Sequence, residues 1–306
     1  MLIHPDFEQA RECPEGGDVI LTTRCDLKTT LESGQTFAFQ TDANAGASSY
    51  ASYGVADGRP ARVTESDGMF RIKCRAEDGP FFRRYFDLDA SYAESLFKYT
   101  NPENAIRPEY SNGMAFLAAC VGAYGDLRIL RQPLWETICE FILSANNNIK
   151  RIQSLYMRIS QNFGEAIEWD GLALHSFPAP ARLAAATEAE LSGLKLGYRA
   201  PYLLETAKRI AEEGLPDLDS LTYEQALKRL TSYKGVGEKV ADCVLLFAAG
   251  HRTAFPVDVW MERALCDKFG MHGTRRELKA EAIRLFGDDS GIVQQFLFHG
   301  IRSGLG

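Results

Sequence analysis

The chain has 306 residues, of which 45% are hydrophobic and 25% are charged, a composition typical of a folded globular protein and not of a disordered one. Its length predicts two domains or one large domain. The formal net charge of −7 argues against a surface that coats nucleic acid or anionic lipid as a whole, but it is compatible with a local basic cleft.

Targeting signals and cysteine usage narrow the class of protein. The opening residues MLIHPDFEQARE lack the basic and then apolar pattern of a secretion signal, and no apolar run is long enough for a membrane span. We therefore expect a cytosolic protein, and without a heptad seam or repeat we expect a monomer. Seven cysteines without a CxxC pair, and five scattered histidines, predict neither a disulfide framework nor a metal site.

The first part of the chain has the pattern of strands and turns. A β-rich run covers residues 19–23, hydrophobic residues alternate over residues 69–74, and turn signals at 57–60 and 66–68 separate such runs. This pattern predicts antiparallel hairpins. We expect an α+β domain, built on an antiparallel sheet, over residues 1–111.

From residue 112 the spacing of the apolar residues becomes helical. We expect a helical region, arranged as two all-α lobes with a cleft between them, over residues 112–306. Amphipathic stripes and capping signals predict its helices. Two stripes predict helices over residues 134–145 and 149–163. Two further helices are predicted to start at the capping boxes of Thr187 with Glu190 and of Thr222 with Gln225, and another is predicted from about Pro201 to Gly214.

The most informative segment is LTSYKGVGEKVADCVLLFAAG, residues 230–250. One helix ends near Tyr233 and another starts directly after Gly235 and Gly237, the spacing of a helix–hairpin–helix motif at about residues 225–249. The glycines allow a tight turn and a close approach of a ligand, and the new helix offers free N–H groups to a phosphate. Such a hairpin can hold a DNA backbone, although the same glycines also suit a purely structural turn.

Two charged residues near this motif are candidates for catalysis. Lys239 occupies the first turn of the second helix, where the helix dipole disfavours a cation, and a nucleophilic amine must be uncharged. Asp258, in the run PVDVW, is placed to cap the following helix, and capping alone would explain an aspartate there. If the fold brings Asp258 beside Lys239, the carboxylate can stabilise positive charge on a ribosyl carbon and accept the proton of the amine.

GVGEKVADC followed by PVDVW resembles the helix–hairpin–helix, Gly/Pro-rich, Asp superfamily of DNA glycosylases, and within it the 8-oxoguanine DNA glycosylases. Four other segments are similar to that family in the same order along the chain. They are SGQTFAFQ (residues 33–40), SANNNIKRI (144–152), LGYRAPY (196–202) and GIVQQFLF (291–298). The resemblance therefore covers nearly the whole chain.

The resemblance implies a DNA repair enzyme that acts on duplex DNA containing 8-oxoguanine opposite cytosine, without a metal or an organic cofactor. Such an enzyme flips the damaged nucleotide out of the helix, because the glycosidic carbon cannot be attacked while the base is stacked. Lys239 would attack that carbon, expel the base and form a Schiff base, and β-elimination would then nick the strand. Asp258 would stabilise the charge that develops on the sugar.

The same resemblance implies a pocket for the flipped base. The carbonyl of Gly34 would accept the N7 proton that distinguishes 8-oxoguanine from guanine, Gln294 would bind the Watson–Crick edge, and Phe298 would stack on one face. Cys243 would cover the other face, since it lies four residues after Lys239 on the same side of the helix. A buried core position explains this cysteine equally well.

The opened duplex would be held by a second group of residues. Asn146 would fill the space that the flipped base leaves, and Arg151, Tyr198 and Arg199 would contact the orphaned cytosine or wedge beside it. Arginine suits cytosine because its fork of donors matches two acceptors. The usual alternative for these residues is a solvated helix face or loop.

Two positions depart from the family pattern, and other functions stay open. Trp260 stands where relatives often carry histidine, and Ala38 where they often carry a basic residue; the chain also lacks the four-cysteine cluster of the endonuclease III and adenine-glycosylase branches.

Three other functions are possible. An alkylated-base glycosylase typically lacks the motif lysine, so Lys239 argues against it. A non-catalytic DNA-binding module has no use for Lys239 and Asp258 together, and a helical protein with a structural hairpin would show no salt-sensitive DNA binding.

Overall fold

The structure is a computed structural model that describes residues 11–12, 18–23, 26–42, 50–66, 69–90, 92–100 and 107–305. Its N-terminal part contains a six-stranded sheet in which all pairs are antiparallel. The strands are β1 (Arg11–Glu12), β2 (Asp18–Thr23), β3 (Phe39–Thr41), β4 (Tyr50–Ala56), β5 (Arg59–Ser66) and β6 (Met69–Arg75). They lie in the order β1-β2-β6-β5-β4-β3.

The sheet confirms the strand predictions. The β-rich run forms β2, and the alternating run forms β6, where Phe70, Ile72 and Cys74 are buried. At the first predicted turn, Asp57 and Gly58 have φ angles of 51° and 73°, the left-handed backbone that a tight hairpin requires. In the second predicted turn, residues 67 and 68 lie outside the described residues.

Helices dominate the remainder and include the predicted ones. Thr187 and Thr222 each form both hydrogen bonds of a capping box, as their spacing predicted. The helix predicted from Pro201 begins two residues earlier, at Arg199, because proline is tolerated throughout a first turn. The helices are α1 (Leu27–Glu32), α2 (Gly79–Tyr85), α3 (Ala93–Thr100), α4 (Ser111–Tyr124), α5 (Leu134–Ser144), α6 (Ile149–Phe163), α7 (Pro180–Ala184), α8 (Glu188–Gly193), α9 (Arg199–Glu213), α10 (Tyr223–Thr231), α11 (Glu238–Phe247), α12 (Val259–Arg263), α13 (Arg275–Phe286) and α14 (Ser290–Ser303).

A short hairpin of β7 (Ala166–Trp169) and β8 (Leu172–His175) interrupts the helical region. The periodicity did not predict it, because four-residue strands are too short for a hydrophobic pattern to show. Trp169 and Leu174 pack against Val55 of β4. Asp170 in the turn pairs with Arg62 at 3.1 Å and with Lys73 at 2.7 Å, so the hairpin ties the helical region to the sheet.

One continuous core joins the sheet to the helices. It contains Val63 of β5, Ile138 of α5, Val244 of α11 and Phe296 of α14. The boundary at residue 111 therefore stays a prediction, although α4 begins at that residue. Over the described ranges, no helix combines the length and the apolar character that a bilayer crossing needs.

Candidate active site

The predicted helix–hairpin–helix motif consists of α10, a turn and α11. Gly235 in the turn has a φ of 79°, and a Cβ there would lie 2.8 Å from the ring and Cβ of Tyr202, so both backbone conformation and space require glycine. Gly237 precedes α11 without a side-chain cap, and a Cβ there would meet nothing within 4 Å. The turn before α11, from Lys234 to Gly237, lines an open cleft of about 660 Å³.

Lys239 and Asp258 both line a second cleft, of about 460 Å³, which is separate from the first. Asp258 precedes α12, and its Oδ1 accepts hydrogen bonds from the backbone N–H groups of Trp260 and Met261, both at 3.0 Å. The cap that the sequence predicted is thus confirmed, and it fixes the carboxylate at the cleft. Lys239 extends from the first turn of α11, with its Nζ 5.3 Å from the ring centroid of Phe141.

Gly34 and Phe298 lie on the same cleft as these two residues. Gly34 has a φ of 84°, and a Cβ there would lie 2.9 Å from the Ile149 Cδ1 atom. The side chain of the neighbouring Ser33 is tied to α14, because Gln295 donates to the Ser33 hydroxyl at 2.9 Å. The glycine thus keeps a narrow part of the cleft open.

Gln294 and Cys243 lie behind the cleft surface, and the described lining includes neither. The Nε2 of Gln294 donates to the Pro256 carbonyl at 3.2 Å, whereas its buried Oε1 has no partner among the residues described. Cys243 is buried one turn after Lys239. Burial raises the pKa of Cys243 to about 11, although the nearby Lys239 charge lowers it, so the thiol stays protonated at neutral pH.

The residues assigned to the opened duplex meet at the turn between α5 and α6. Asn146 is exposed there with a φ of 48°. Tyr198, 49% exposed, donates its hydroxyl to the Ala145 carbonyl at 2.8 Å. Arg199 is only 3% exposed and donates to the Asn146 carbonyl at 3.0 Å, so it supports this turn from behind. Arg151 is exposed on α6 nearby.

Two residues at the site were missed by the sequence analysis. Glu140 of α5 is buried, and its Oε1 accepts the backbone N–H of Phe37 at 2.9 Å; a carboxylate inside an apolar helix was the available signal. Arg302 lines the cleft at the end of α14, and its position four residues after Phe298 was the only hint. In the part of the chain that the structure describes, no three His, Cys, Asp or Glu residues could hold a metal ion.

A sheet joined to a helix–hairpin–helix region, with a lysine and a capping aspartate on one cleft, defines a class of DNA repair protein. The model of the HhH-GPD superfamily of base excision DNA repair proteins matches residues 139–286. The model of the 8-oxoguanine DNA glycosylase N-terminal domain matches residues 19–138. The chain belongs to the HhH-GPD superfamily and, within it, to the 8-oxoguanine DNA glycosylase family.

Individual relatives agree with this assignment. The chain is 41% identical over 167 residues to the N-glycosylase/DNA lyase of Saccharomyces cerevisiae, a match that covers 50% of this chain and 44% of the relative. It is 34% identical over 198 residues to a protein of Methanothermobacter thermautotrophicus named as a probable N-glycosylase/DNA lyase, covering 58% and 64%. The matches thus span less than two thirds of these relatives.

A solved structure matches over a greater length. The 8-oxoguanine glycosylase/lyase of Clostridium acetobutylicum, in complex with double-stranded DNA that carries cytosine opposite 8-oxoguanine, superposes with a TM-score of 0.84 at 28% identity. The match covers 97% of this chain and 99% of that one. The two structures therefore share their fold over nearly the whole length of both chains.

Proposed function

We propose that this chain is a DNA glycosylase and lyase that removes 8-oxoguanine lying opposite cytosine in duplex DNA. The observation that carries the proposal is the presence of Lys239, Asp258, Gly34 and Phe298 on one cleft. An amine and a carboxylate there act on the sugar, while a glycine carbonyl and an aromatic ring bind the base. The structural match to the Clostridium acetobutylicum enzyme supports this substrate.

The reaction begins when the uncharged amine of Lys239 attacks the sugar carbon that bears the base. The bond from Lys239 Nζ to that carbon forms as the glycosidic bond breaks, and the electron pair of the broken bond stays on the base. Asp258 stabilises the positive charge on the sugar and takes a proton from the attached amine. Ring opening then gives a Schiff base, from which β-elimination nicks the strand.

Recognition of the base rests on groups that the protein leaves unpaired. The buried Oε1 of Gln294 has no partner within the described ranges, and an unpaired buried acceptor costs free energy unless a ligand donates to it. A Watson–Crick edge with N–H groups would supply that donor, and because Gln294 is buried behind the cleft lining, the lining must move for the base to reach it. The Gly34 carbonyl would accept the N7 proton, so guanine, which lacks this proton, leaves the carbonyl unpaired. The stacking surface is the Phe298 ring.

The duplex is held at two places on the surface. The open N–H groups after Gly237 bind a phosphate of the DNA backbone without regard to sequence. Asn146, Arg151 and Tyr198 form the exposed group that enters the opened duplex and contacts the orphaned cytosine. Arg199 supports that group through the backbone of its turn, since its side chain is already bonded to the carbonyl of Asn146.

Borohydride trapping tests the proposal, because borohydride reduces a Schiff base to a stable amine. We expect wild type to form a covalent band with a duplex that contains 8-oxoguanine opposite cytosine, and not with a plain guanine duplex. Lys239→Gln should abolish the band, whereas Lys150→Gln, which removes an exposed lysine from the same cleft, should retain it. Repeating the wild-type reaction with adenine opposite the lesion measures the preference for cytosine.

Each other outcome identifies a competing function. Alkali-labile sites without a band would show base removal without lyase action, as an alkylated-base glycosylase would give. Salt-sensitive DNA binding with neither band nor abasic sites would favour a non-catalytic module, because phosphate contacts release counterions. If Lys150→Gln removed the band and Lys239→Gln kept it, the nucleophile would be Lys150 and the assignment of Lys239 would be wrong.

A further inference from the structure

Arg302 places a guanidinium group on the wall of the cleft, beside Gly34 and Phe298, two of the residues that we assign to the base. Its Nη1 lies 3.7 Å from the position that a Cβ on Gly34 would take, and its guanidinium carbon lies 5.8 Å from the ring centroid of Phe298. The group is partly buried at the end of α14. The cation therefore faces the space where the base is expected.

The guanidinium is held in place without being neutralised by a direct ion pair. Nη1 donates to the Ser33 carbonyl and Nη2 to the Glu32 carbonyl, both at 3.3 Å. No carboxylate lies within ion-pair distance of it among the described residues. Burial lowers the pKa of Arg302, while the more distant charges of Asp258 and Glu32 oppose this effect, and arginine still keeps its proton at all working pH values.

The opposite charges of Asp258 and Arg302, which both line the cleft, match the way the glycosidic bond breaks. When the electron pair of that bond stays on the base, negative charge develops on the base and positive charge on the sugar. Asp258 faces the sugar carbon that Lys239 attacks, and Arg302 lies next to the base contacts of Gly34 and Phe298. Fixed charges of this kind stabilise the transition state because they need no reorganisation as the bond breaks.

On the basis of the proposed function, we propose that Arg302 is the residue that selects a base leaving as an anion, by stabilising the departing 8-oxoguanine, and that it rejects cationic alkylated bases. A base such as 7-methylguanine carries a positive charge before cleavage and leaves as a neutral molecule. The Arg302 cation repels the bound form of such a base and gives no stabilisation to its departure. The anionic 8-oxoguanine is later protonated by water, so the charges balance.

The test uses single-turnover excision with the full chain in excess over the duplex. We expect Arg302→Gln to lower the rate constant for 8-oxoguanine by ~10-fold to 100-fold, the scale of losing one electrostatic contact in a transition state. Arg302→Lys, which keeps the charge but not the fork of donors, should recover most of the rate. Binding of a duplex that carries an uncleavable abasic analogue should stay unchanged in both variants.

Excision of a second base, 7-methylguanine, distinguishes an electrostatic role of Arg302 from a purely structural one. With a 7-methylguanine duplex, Arg302→Gln should excise as fast as wild type or faster. Arg84→Gln, which removes a cation from a different cleft of about 380 Å³, should leave both rates at wild-type values. Equal losses of 8-oxoguanine excision in Arg302→Gln and Arg302→Lys, or a parallel fall of the 7-methylguanine rate, would show that Arg302 only holds the backbone of Ser33.

The failure of this inference differs from the failure of the proposed function. If wild type forms the borohydride band but Arg302→Gln excises 8-oxoguanine at the wild-type rate, the proposed function stands and the role of Arg302 is overturned. If wild type itself neither traps nor excises, the proposed function fails and the role of Arg302 fails with it.

Discussion

The Glu140 side chain in α5 accepts the backbone N–H of Phe37 at 2.9 Å, and so links the helical region to the segment that carries Gly34. Glu140 is 1% exposed, and burial raises its pKa well above the ordinary value. The Phe37 N–H requires an oxygen acceptor at position 140, and a glutamine amide also supplies one.

Replacing Glu140 tests this link. Glu140→Gln keeps an acceptor for the Phe37 N–H and should stay close to wild type. Glu140→Ala leaves that buried N–H unpaired, which should lower the free energy of unfolding by about 1–3 kcal/mol and slow 8-oxoguanine excision by displacing Gly34. Urea unfolding and single-turnover kinetics measure the two effects. Unchanged kinetics in the alanine variant would contradict the positioning role.

Gly34 can be compared with a second glycine of the same backbone conformation. Gly34 and Gly58 have φ angles of 84° and 73°, so alanine at either position should cost about 1–2 kcal/mol of stability. Only at Gly34 would the new Cβ meet a neighbour, the Ile149 side chain at 2.9 Å; at Gly58 it meets nothing within 4 Å.

We therefore expect Gly34→Ala to slow excision by up to ~100-fold, the scale of a small misplacement in an active site, and Gly58→Ala to leave it unchanged. Single-turnover rate constants and urea unfolding of both variants provide the measurement. Equal effects of the two substitutions on excision would mean that Gly34 contributes only to folding.

Substitution of Asp258 by asparagine, the corresponding amide, separates its role as a helix cap from its role as a charge beside the sugar. Asp258→Asn keeps the oxygen that accepts from Trp260 and Met261, and asparagine caps helices as well as aspartate does, so stability should be retained. Asp258→Ala should lose about 1 kcal/mol with the cap. Both variants lose the charge that faces the sugar, and the rate of borohydride trapping should fall by ~100-fold in each. A fully active asparagine variant would show that Asp258 serves only as the N-cap of α12.

Glu136 should make the stability of the fold depend on pH. This buried carboxyl accepts from the Asp57 N–H at 2.8 Å and from the Tyr156 hydroxyl at 3.1 Å, and burial raises its pKa from 4.5 to about 8. The folded state thus holds a proton that the unfolded state releases. This stabilising contribution is complete below pH 4.5 and is lost as the pH rises toward 8.

Glu136→Gln cannot titrate at this position, so its stability relative to wild type should increase by about 1.4 kcal/mol for each pH unit within this range. Urea unfolding of both proteins at several pH values measures the difference, in which titrating groups far from Glu136 cancel. Parallel pH profiles of the two proteins would show that Glu136 does not titrate between these limits.

Much of the fold was predictable because its signals are local. The capping boxes at Thr187 and Thr222, the cap at Asp258 and the apolar stripe of α6 each depend on residues within a few positions of one another. The β7–β8 hairpin was not predictable in this way. Its strands are short, and their side chains Trp169 and Leu174 pack on Val55, which is more than 100 positions away in the sequence.

By itself the sequence determined where most helices and strands lie, and it provided the motifs that carry the family resemblance. Only the tertiary structure decided that Lys239 and Asp258 share a cleft with Gly34, that Arg302 faces the same cleft, and that Glu140 holds the segment beside it. The physical reason is distance along the chain. Backbone preference acts over a few residues, whereas burial, charge and hydrogen bonding at the site come from segments that meet only when the core forms.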